Sequence, residues 1–544
     1  MLERSAIQRT GRYLAACAIS LLLATAVPAE DESVVTITVV TTNDFHGWIQ
    51  GHGIEGGAHW LQGYLDIVRE ENPGRVLHLD AGDTWQGALI SDYFVFEPAI
   101  EILNLMDVTA LGFANHELAT GIESFQHVAG ELDFPLLAGN VFYRSEYHPP
   151  GDSGLVPPLE PFVIEQVAGV KIGLIGVLDP SVIAPFGAGS WIKQDLYFAD
   201  SLRTVKRSLH KTAMHGARFN IVIIHIASSP AFHPEVLEDL VCSLNPNRVN
   251  LVVTGHMHVG MAAEICGIPV VQSWDHGTAF SRIDFDVDRR SGRVIDYRMN
   301  PEPTRVIQSQ EGVPATYQRW DTGQVVEVFP DTEIQARVEY WEEQLAAAVN
   351  DVIGHTNAAM PADRRRESVV ADWVADRFRE VLEYQVDFVG FRGGSAVDAG
   401  DITLGEFLTA FVRNNEIFIV ELTGEEVRQV LEEGVTEEAY GLLQVSGLKY
   451  VVNYDRPEGE QVIGDVIDAN TYLPIDPSAT YLMATTSYLA NGAQGMDTML
   501  ANPHQGTEIY YRDYLLGWLK ANSPFDPPDP AVEQRITVYG EVPD

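Results

Sequence analysis

The stretch Val39-Val40-Thr41-Thr42-Asn43-Asp44-Phe45-His46-Gly47 decides the fold. Residues 34–42 are β-branched and apolar, the composition of a buried strand. The run ends in an acidic residue and a histidine two apart, followed by glycine. At a strand end, residues i and i+2 point the same way, so a carboxylate and an imidazole can converge on one cation. Alone, such a pair is only a polar turn. It acquires meaning because the same grammar returns four more times.

Working outward, Val76-Leu77-His78-Leu79 is followed by Asp80-Ala81-Gly82-Asp83-Thr84, and Gly112-Phe113-Ala114 by Asn115-His116-Glu117. Ile221-Val222-Ile223-Ile224 delivers His225, and Leu251-Val252-Val253 delivers Thr254-Gly255-His256-Met257-His258. Strand-like runs at 34–40, 76–79, 170–177, 219–224 and 251–253 alternate with helical stretches at 61–70, 99–105 and 202–215. That alternation predicts a layered α/β domain over 34–300, with ligands held in loops at the carboxyl ends of the strands. One histidine is usually a hydrogen-bonded structural residue. Five strand ends that supply Asp, His, Asp, Asn, His, His and His are not explained that way. Mixed oxygen and nitrogen donors suit zinc, manganese, iron or cobalt. Two such ions, roughly 3.5–4 Å apart, clamp a phosphate and acidify a shared water. A histidine that is not a ligand can stabilise the phosphoryl oxygens or protonate the leaving oxygen.

At 544 residues the chain is too long for one core and predicts two or more domains. Its apolar and charged fractions exclude wholesale disorder. The net charge of -42 argues against a nucleic-acid backbone or an anionic lipid surface as partner and reads as a device for solubility; the partner that the motifs imply is a small-molecule phosphoester. An anionic substrate then needs a cation or local arginines to reverse the field. Residues 1–29 read as a signal peptide: Arg4, Arg9 and Arg12 precede an apolar run over 14–27, and Val27-Pro28-Ala29 ends in a cleavage pattern. Export to the periplasm or beyond removes Cys17 and leaves Cys242 and Cys266, which either pair or stand as two buried thiols. No later run is long and apolar enough for a membrane span.

The series Asn-Asp-x-His-Gly, Gly-Asp-Thr, Asn-His-Glu, a strand-end histidine and Gly-His-x-His resembles the calcineurin-like dinuclear metallophosphoesterases. Its order and spacing look like the exported 5′-nucleotidase branch, over nearly the whole mature chain. The resemblance implies a four-layer αββα sandwich, a bridging helix and a C-terminal α/β substrate-recognition domain. It implies two divalent ions, one held by Asp44, His46, Asp83 and His258. Asp83 would bridge to the second, completed by Asn115, His225 and His256, with His116 as the catalytic, non-ligand histidine. The implied reaction is hydrolysis of small phosphomonoesters, nucleoside 5′-monophosphates first, by a metal-bound hydroxide. One departure stands out. The family usually follows Asn-His-Glu with an aromatic residue and an aspartate that orients the catalytic histidine; here Leu118 and Ala119 follow. His116 needs another partner.

Pro301-Glu302-Pro303 reads as a boundary opening a 301–355 linker. Within it Val338, Trp341, Leu345 and Val349 recur at helical spacing, predicting the bridging helix. Residues 356–544 resemble the family's C-terminal domain, in segments such as Ala399-Gly400-Asp401-Ile402-Thr403 and Ala490-Asn491-Gly492. That domain usually clamps a base between two aromatic rings, worth roughly 1–3 kcal/mol per base. The two positions correspond to Leu442 and Met496, neither of them aromatic. The arginine expected after a double glycine is also absent after Gly393-Gly394. Arg392, just before the glycines, and Arg364 are the candidate phosphate contacts, with Asn491 and Gly492 completing the substrate-binding set. Arg392 reads equally as a surface or interdomain salt bridge. Tyr440 and Tyr488 offer a different stacking surface or simply pack. Gly390-Phe391-Arg392-Gly393 resembles thiosulfohydrolase relatives that act on a sulfur-bearing carrier, although those typically replace the metal asparagine and this chain keeps Asn115. A non-nucleotide organophosphate and a metal-binding protein without catalysis are the remaining alternatives.

Overall fold

The computed structural model describes residues 33–118, 121–145, 154–183, 191–229, 233–413, 415–435 and 441–542; the leader read at 1–29 lies outside them. In β1 (Val34–Thr42) every second side chain, Val35, Ile37 and Val39, turns to a core between two sheets, while Val40 turns to a helical layer. β2 (Val76–Asp80) runs parallel to β1, and β3 (Ala110–Gly112) parallel to β2. Thr42 stands level with Asp80 and Asp80 with Leu111, so the three strands end together. Their sheet runs in the order Arg293–Met299, Ala279–Asp288, β1, β2, β3, Leu136–Leu137.

β4 (Phe219–His225) and β5 (Leu251–Gly255) are parallel neighbours in the second sheet, with His225 level with Gly255. That sheet runs Gly260–Ile265, Ile268–Ser273, β5, β4, Val170–Leu178, Phe162–Val167. Phe219, Ile221 and Ile223 face the first sheet; Val222 and Ile224 face the helices Ser201–Met214 and Pro234–Cys242. Parallel strands covered on both faces have no polar side to show, and so read as continuous apolar runs. Helices, sheet, sheet, helices: this is the expected four-layer sandwich. Cys242, ending its helix, is bonded to Cys266 in the hairpin between Gly260–Ile265 and Ile268–Ser273, which settles the two cysteines as a pair.

Residues 301–355 do more than connect. Thr304–Arg305 pairs with Ala279–Asp288, and Val306, Ala315, Tyr317 and Val328 enter the first domain's helical core. No apolar run announced this, because single side chains at wide spacing turn inward. The helix Thr332–Val349 starts at Asp331, whose side chain accepts from the backbone N–H of Ile334. Ile334, Val338 and Trp341 are buried against the first domain, with Leu345 beside them, and Val349 lies against Gly405 of the second. Trp341 Nε1 donates to Glu101 Oε2 at 2.7 Å.

The second domain is built on a sheet ordered Gln444–Ser446, Phe388–Phe391, Thr480–Thr486, Glu416–Thr423, His504–Tyr510. Helices Val369–Val381 and Tyr511–Asn522 contribute to one core cluster, and Gly424–Glu433 to another. Among the described residues no helix is long and apolar enough to cross a membrane.

Trp341→Ala removes a ring that is 6% exposed together with its hydrogen bond to Glu101. Its cost to the first domain is expected at about 3–5 kcal/mol, read as a lower urea midpoint in near-ultraviolet circular dichroism.

Candidate metal centre

Five of the seven candidate ligands sit on strained backbone. Asp44, His46, Asp83, His256 and His258 have φ of 51°, 49°, 56°, 91° and 52°, the left-handed region that costs a non-glycine residue of order 1 kcal/mol or more. The turns are held from outside. The backbone N–H groups of Asp44, His46 and Gly47 donate to the carbonyls of Gly82, Asp83 and Thr84 at 2.8, 2.9 and 2.8 Å, zipping the loop after β1 to the loop after β2. Gly82, with φ 91°, admits no side chain: a Cβ there would lie 2.6 Å from the Gly112 carbonyl. Glu117 ties in the third loop by accepting from the N–H groups of Asp83, Thr84 and Ala114.

The donor atoms then meet. His225 Nε2 is 3.0 Å from Asp83 Oδ2 and 4.0 Å from Asp44 Oδ1. His258 Nε2 is 3.5 Å from Asp44 Oδ1, and 3.1 Å from His46 Nε2. Asp44, His46 and His258 form one group whose ligand atoms lie within 4.8 Å of one another; Asp83, His225 and His256 form a second, and His46, Asp83 and His116 a third. Asn115 leads into His116, whose backbone N–H donates to Asp83 Oδ1 at 2.8 Å.

The residues fit divalent ions. His225 Nδ1–H donates to the Ala81 carbonyl and His46 Nδ1–H to the Gln86 carbonyl, both at 2.8 Å, which turns each Nε2 inward as the atom a cation would bind. His225 Nε2 lies near Asp83 Oδ2 but outside hydrogen-bond geometry, and both it and Asn115 Oδ1 are buried without a hydrogen-bond partner. Such orphans are rare and need a reason. A cation satisfies carboxylate, imidazole and amide oxygen together.

The electrostatics agree. Burial pushes the Asp83 carboxyl toward its neutral form, but His225 and His116 hold it well below the usual carboxylate range. Burial likewise opposes charge on His225, yet the Asp83 and Asp44 carboxylates lift it to about 9. His116 and His256 are pushed down to about 4, chiefly by burial.

His116 finds the partner its sequence neighbours lack. Leu118 is buried in the core, and Ala119 lies outside the described residues. Instead, Gln86 Oε1 accepts from His116 Nδ1–H, so one residue orients His116 through its side chain and His46 through its backbone. Two more residues escaped the strand-end reading. Asp275 Oδ2 is 3.4 Å from His258 Nδ1 and Oδ1 is 3.1 Å from His276 Nδ1. His276 and Trp48 wall the 340 Å³ cavity over His46, Asp83, His116, His256 and His258. Asp275 and His276 follow the strand Ile268–Ser273 in Trp274-Asp275-His276-Gly277, the same signal as the other strand ends.

The substrate-binding candidates divide. Arg364, Arg392 and Leu442 line a 510 Å³ cavity in the second domain, together with Gln494 and Tyr488. Asn491, Gly492 and Met496 are not brought to it. The Asn491 side chain donates to the Ser487 carbonyl at the end of a short helix, Gly492 turns the chain at φ 82°, and Met496 is fully buried in the core. Tyr440 lies outside the described residues. Arg392 makes no salt bridge among the described residues; Nη1 donates to Gln494 Oε1 at 3.1 Å.

Residues 349–502 match the family described as 5′-nucleotidase, C-terminal domain. The chain is 24% identical to a 5′-nucleotidase of Diplobatis ommata, over 86% of this chain and 84% of that one. It is 22% identical to the trifunctional nucleotide phosphoesterase protein YfkN of Bacillus subtilis, over 92% of this chain but only 35% of that longer protein. Its fold superposes on a putative 5′-nucleotidase from Staphylococcus aureus with a TM-score of 0.71 at 16% identity, covering 93% of this chain and all of that one.

Adding manganese or zinc is expected to raise the thermal midpoint, by the equivalent of about 2.7 kcal/mol at a hundredfold excess over Kd. Asp83→Asn, which takes the carboxylate shared by two groups, is expected to lose most of that shift, measured by scanning calorimetry with and without metal.

Proposed function

The chain belongs to the 5′-nucleotidase family, and from that premise we propose an exported phosphomonoesterase that works with two divalent ions. It is a metal-dependent hydrolase of phosphoric esters. The observation that carries the reading is the convergence of buried donors in neighbouring groups beside an oriented histidine that is not needed as a ligand.

Asp44, His46, Asp83 and His258 would hold one ion, and Asp83, Asn115, His225 and His256 the other. Such ions supply Lewis-acid charge for phosphoryl oxygens and make a water acidic enough to attack phosphorus. The chain's own groups do the rest. His225 and His46 are locked by the Ala81 and Gln86 carbonyls with Nε2 inward, so donor positions are set before substrate arrives. Gln86 commits His116 Nδ1–H and leaves Nε2 for the substrate. Burial keeps His116 neutral in the free site, so it becomes a donor to a phosphoryl or leaving oxygen only when the substrate's negative charge draws a proton onto Nε2. Trp48 and His276, with ring centroids 4.9 Å apart, wall the entrance.

The Cys242–Cys266 bond supports export, since such pairs persist in oxidising compartments. Nucleoside 5′-monophosphates are the first substrates to test, because relatives are named 5′-nucleotidases. A non-nucleotide organophosphate is second, because Leu442 and Met496 offer a base no ring.

Metal-loaded protein should hydrolyse p-nitrophenyl phosphate, and His116→Ala should lower kcat by about 10²–10⁴ at unchanged metal content by mass spectrometry. Full metal content with no turnover of any phosphomonoester would sink this reading.

A further inference from the structure

The second-domain cavity is lined by three arginines, Arg364, Arg392 and Arg413. Among the described residues none of them pairs with a carboxylate. The acid in the described lining, Asp363, is engaged elsewhere: Oδ1 accepts from the backbone N–H groups of Arg365 and Arg366 at 2.8 and 2.9 Å, and Oδ2 is 3.8 Å from Arg366 Nη1. Arg392 Nε is buried and makes no hydrogen bond, while Nη1 donates to the neutral Gln494 Oε1 at 3.1 Å and Nη2 to the Gly434 carbonyl at 3.5 Å. Burial pushes Arg392 down to about 10, still charged at neutral pH. A buried guanidinium without a countercharge is costly. In a chain with 77 acidic residues, a buried guanidinium that meets no carboxylate among the described residues points to one supplied from outside.

The cavity is as poor in free ring faces as it is rich in cations. Phe391 packs on Phe378 and Tyr511, and Phe411 on Trp373 and Phe407. The Arg413 guanidinium lies over the Tyr488 ring, 5.6 Å from its centroid. Leu442 is almost fully buried. Among the described residues no two rings face each other across the space in the manner of a base clamp. Arg413 follows the helix Leu404–Ala410, whose last residue also lines the cavity, and that helix packs against Leu89–Tyr93, the helix that follows Gln86 of the metal centre.

Building on the phosphomonoesterase reading, we propose that this cavity recognises an oxyanion. The preferred substrates are then small phosphomonoesters that carry a second acidic group, a carboxylate or another phosphate, where a nucleotide carries its base. The phosphoryl end lies at the metal centre and the acidic end among Arg364, Arg392 and Arg413, whose planar forks match an oxyanion with paired hydrogen bonds.

The test is kcat/KM of the metal-loaded enzyme on matched pairs. 3-Phosphoglycerate against glycerol 3-phosphate asks about a carboxylate; fructose 1,6-bisphosphate against fructose 6-phosphate asks about a second phosphate. At least one acidic member should exceed its partner by about 10- to 100-fold, the worth of a hydrogen bond to a charged group, mostly through KM. Arg392→Gln and Arg413→Gln should each bring that ratio toward one. Ratios of one in the wild type, ratios unchanged in both variants, or adenosine 5′-monophosphate preferred over both acidic substrates would overturn the proposal. Calorimetric titration with succinate and with inorganic phosphate separates the two readings. Binding that Arg392→Gln abolishes, in a protein that turns over no phosphomonoester, keeps the oxyanion cavity and rejects the phosphatase. No binding of either anion to the wild type rejects the cavity alone.

Discussion

Asp44 and Asp83 put two carboxylates, both shut off from water, among imidazoles whose nitrogens crowd within a few ångströms of them. Taking a carboxylate out of water is expensive unless charge or hydrogen bonds compensate it. The imidazoles compensate in part, which is why His225 is driven to hold a proton. A divalent cation compensates more fully, and its binding would then be coupled to folding and to proton release. The rest of the first domain serves that requirement. Three parallel strands of one sheet and two of the other finish together, and interlocked loops hold five residues in a left-handed backbone they would otherwise avoid. Packing between the sheets meets the cost of the strain. A loosely held loop would relax and let the donors drift apart.

Much of this was legible before the structure because it is written locally. Continuous β-branched, apolar runs show where the buried strands lie, and a polar residue directly after such a run must leave the sheet at its end. Asp44, Asp83, Asn115, His225 and His256 all follow that logic. Asp275 and His276 follow it too, but their strand carries Pro269 near its start, which weakens the strand reading. What stayed hidden is non-local. Gln86 meets His116 across thirty residues of chain, from a different loop, and nothing near either residue announces the contact. Arg413-Asn414-Asn415 has the composition of an ordinary polar loop. Met496 shows the opposite error: a family position can be matched by neighbours in sequence, yet an aliphatic side chain placed there turns into the core.

The second domain works against the field of the whole molecule. A surface bearing a net charge of -42 repels anions, but beyond a Debye length of about 8 Å at physiological ionic strength that repulsion is largely screened. Close in, three guanidiniums and whatever metal the first domain holds set the potential. Long-range charge and site charge therefore have opposite jobs. An acidic exterior favours solubility, and on the proposed reading the arginine-lined cavity offers an anion the opposite field at close range.

Gln86 has a consequence for how the centre responds to change. Its backbone carbonyl fixes His46 and its side-chain carbonyl fixes His116, two rings that meet edge to face with centroids 4.6 Å apart. Any movement of that loop rotates a candidate ligand and the candidate catalytic group together. Energies assigned to either histidine by single replacement will therefore contain part of the other, and only a thermodynamic cycle through all three residues can separate them. Metal affinity and turnover, usually treated as two properties, share one hinge here.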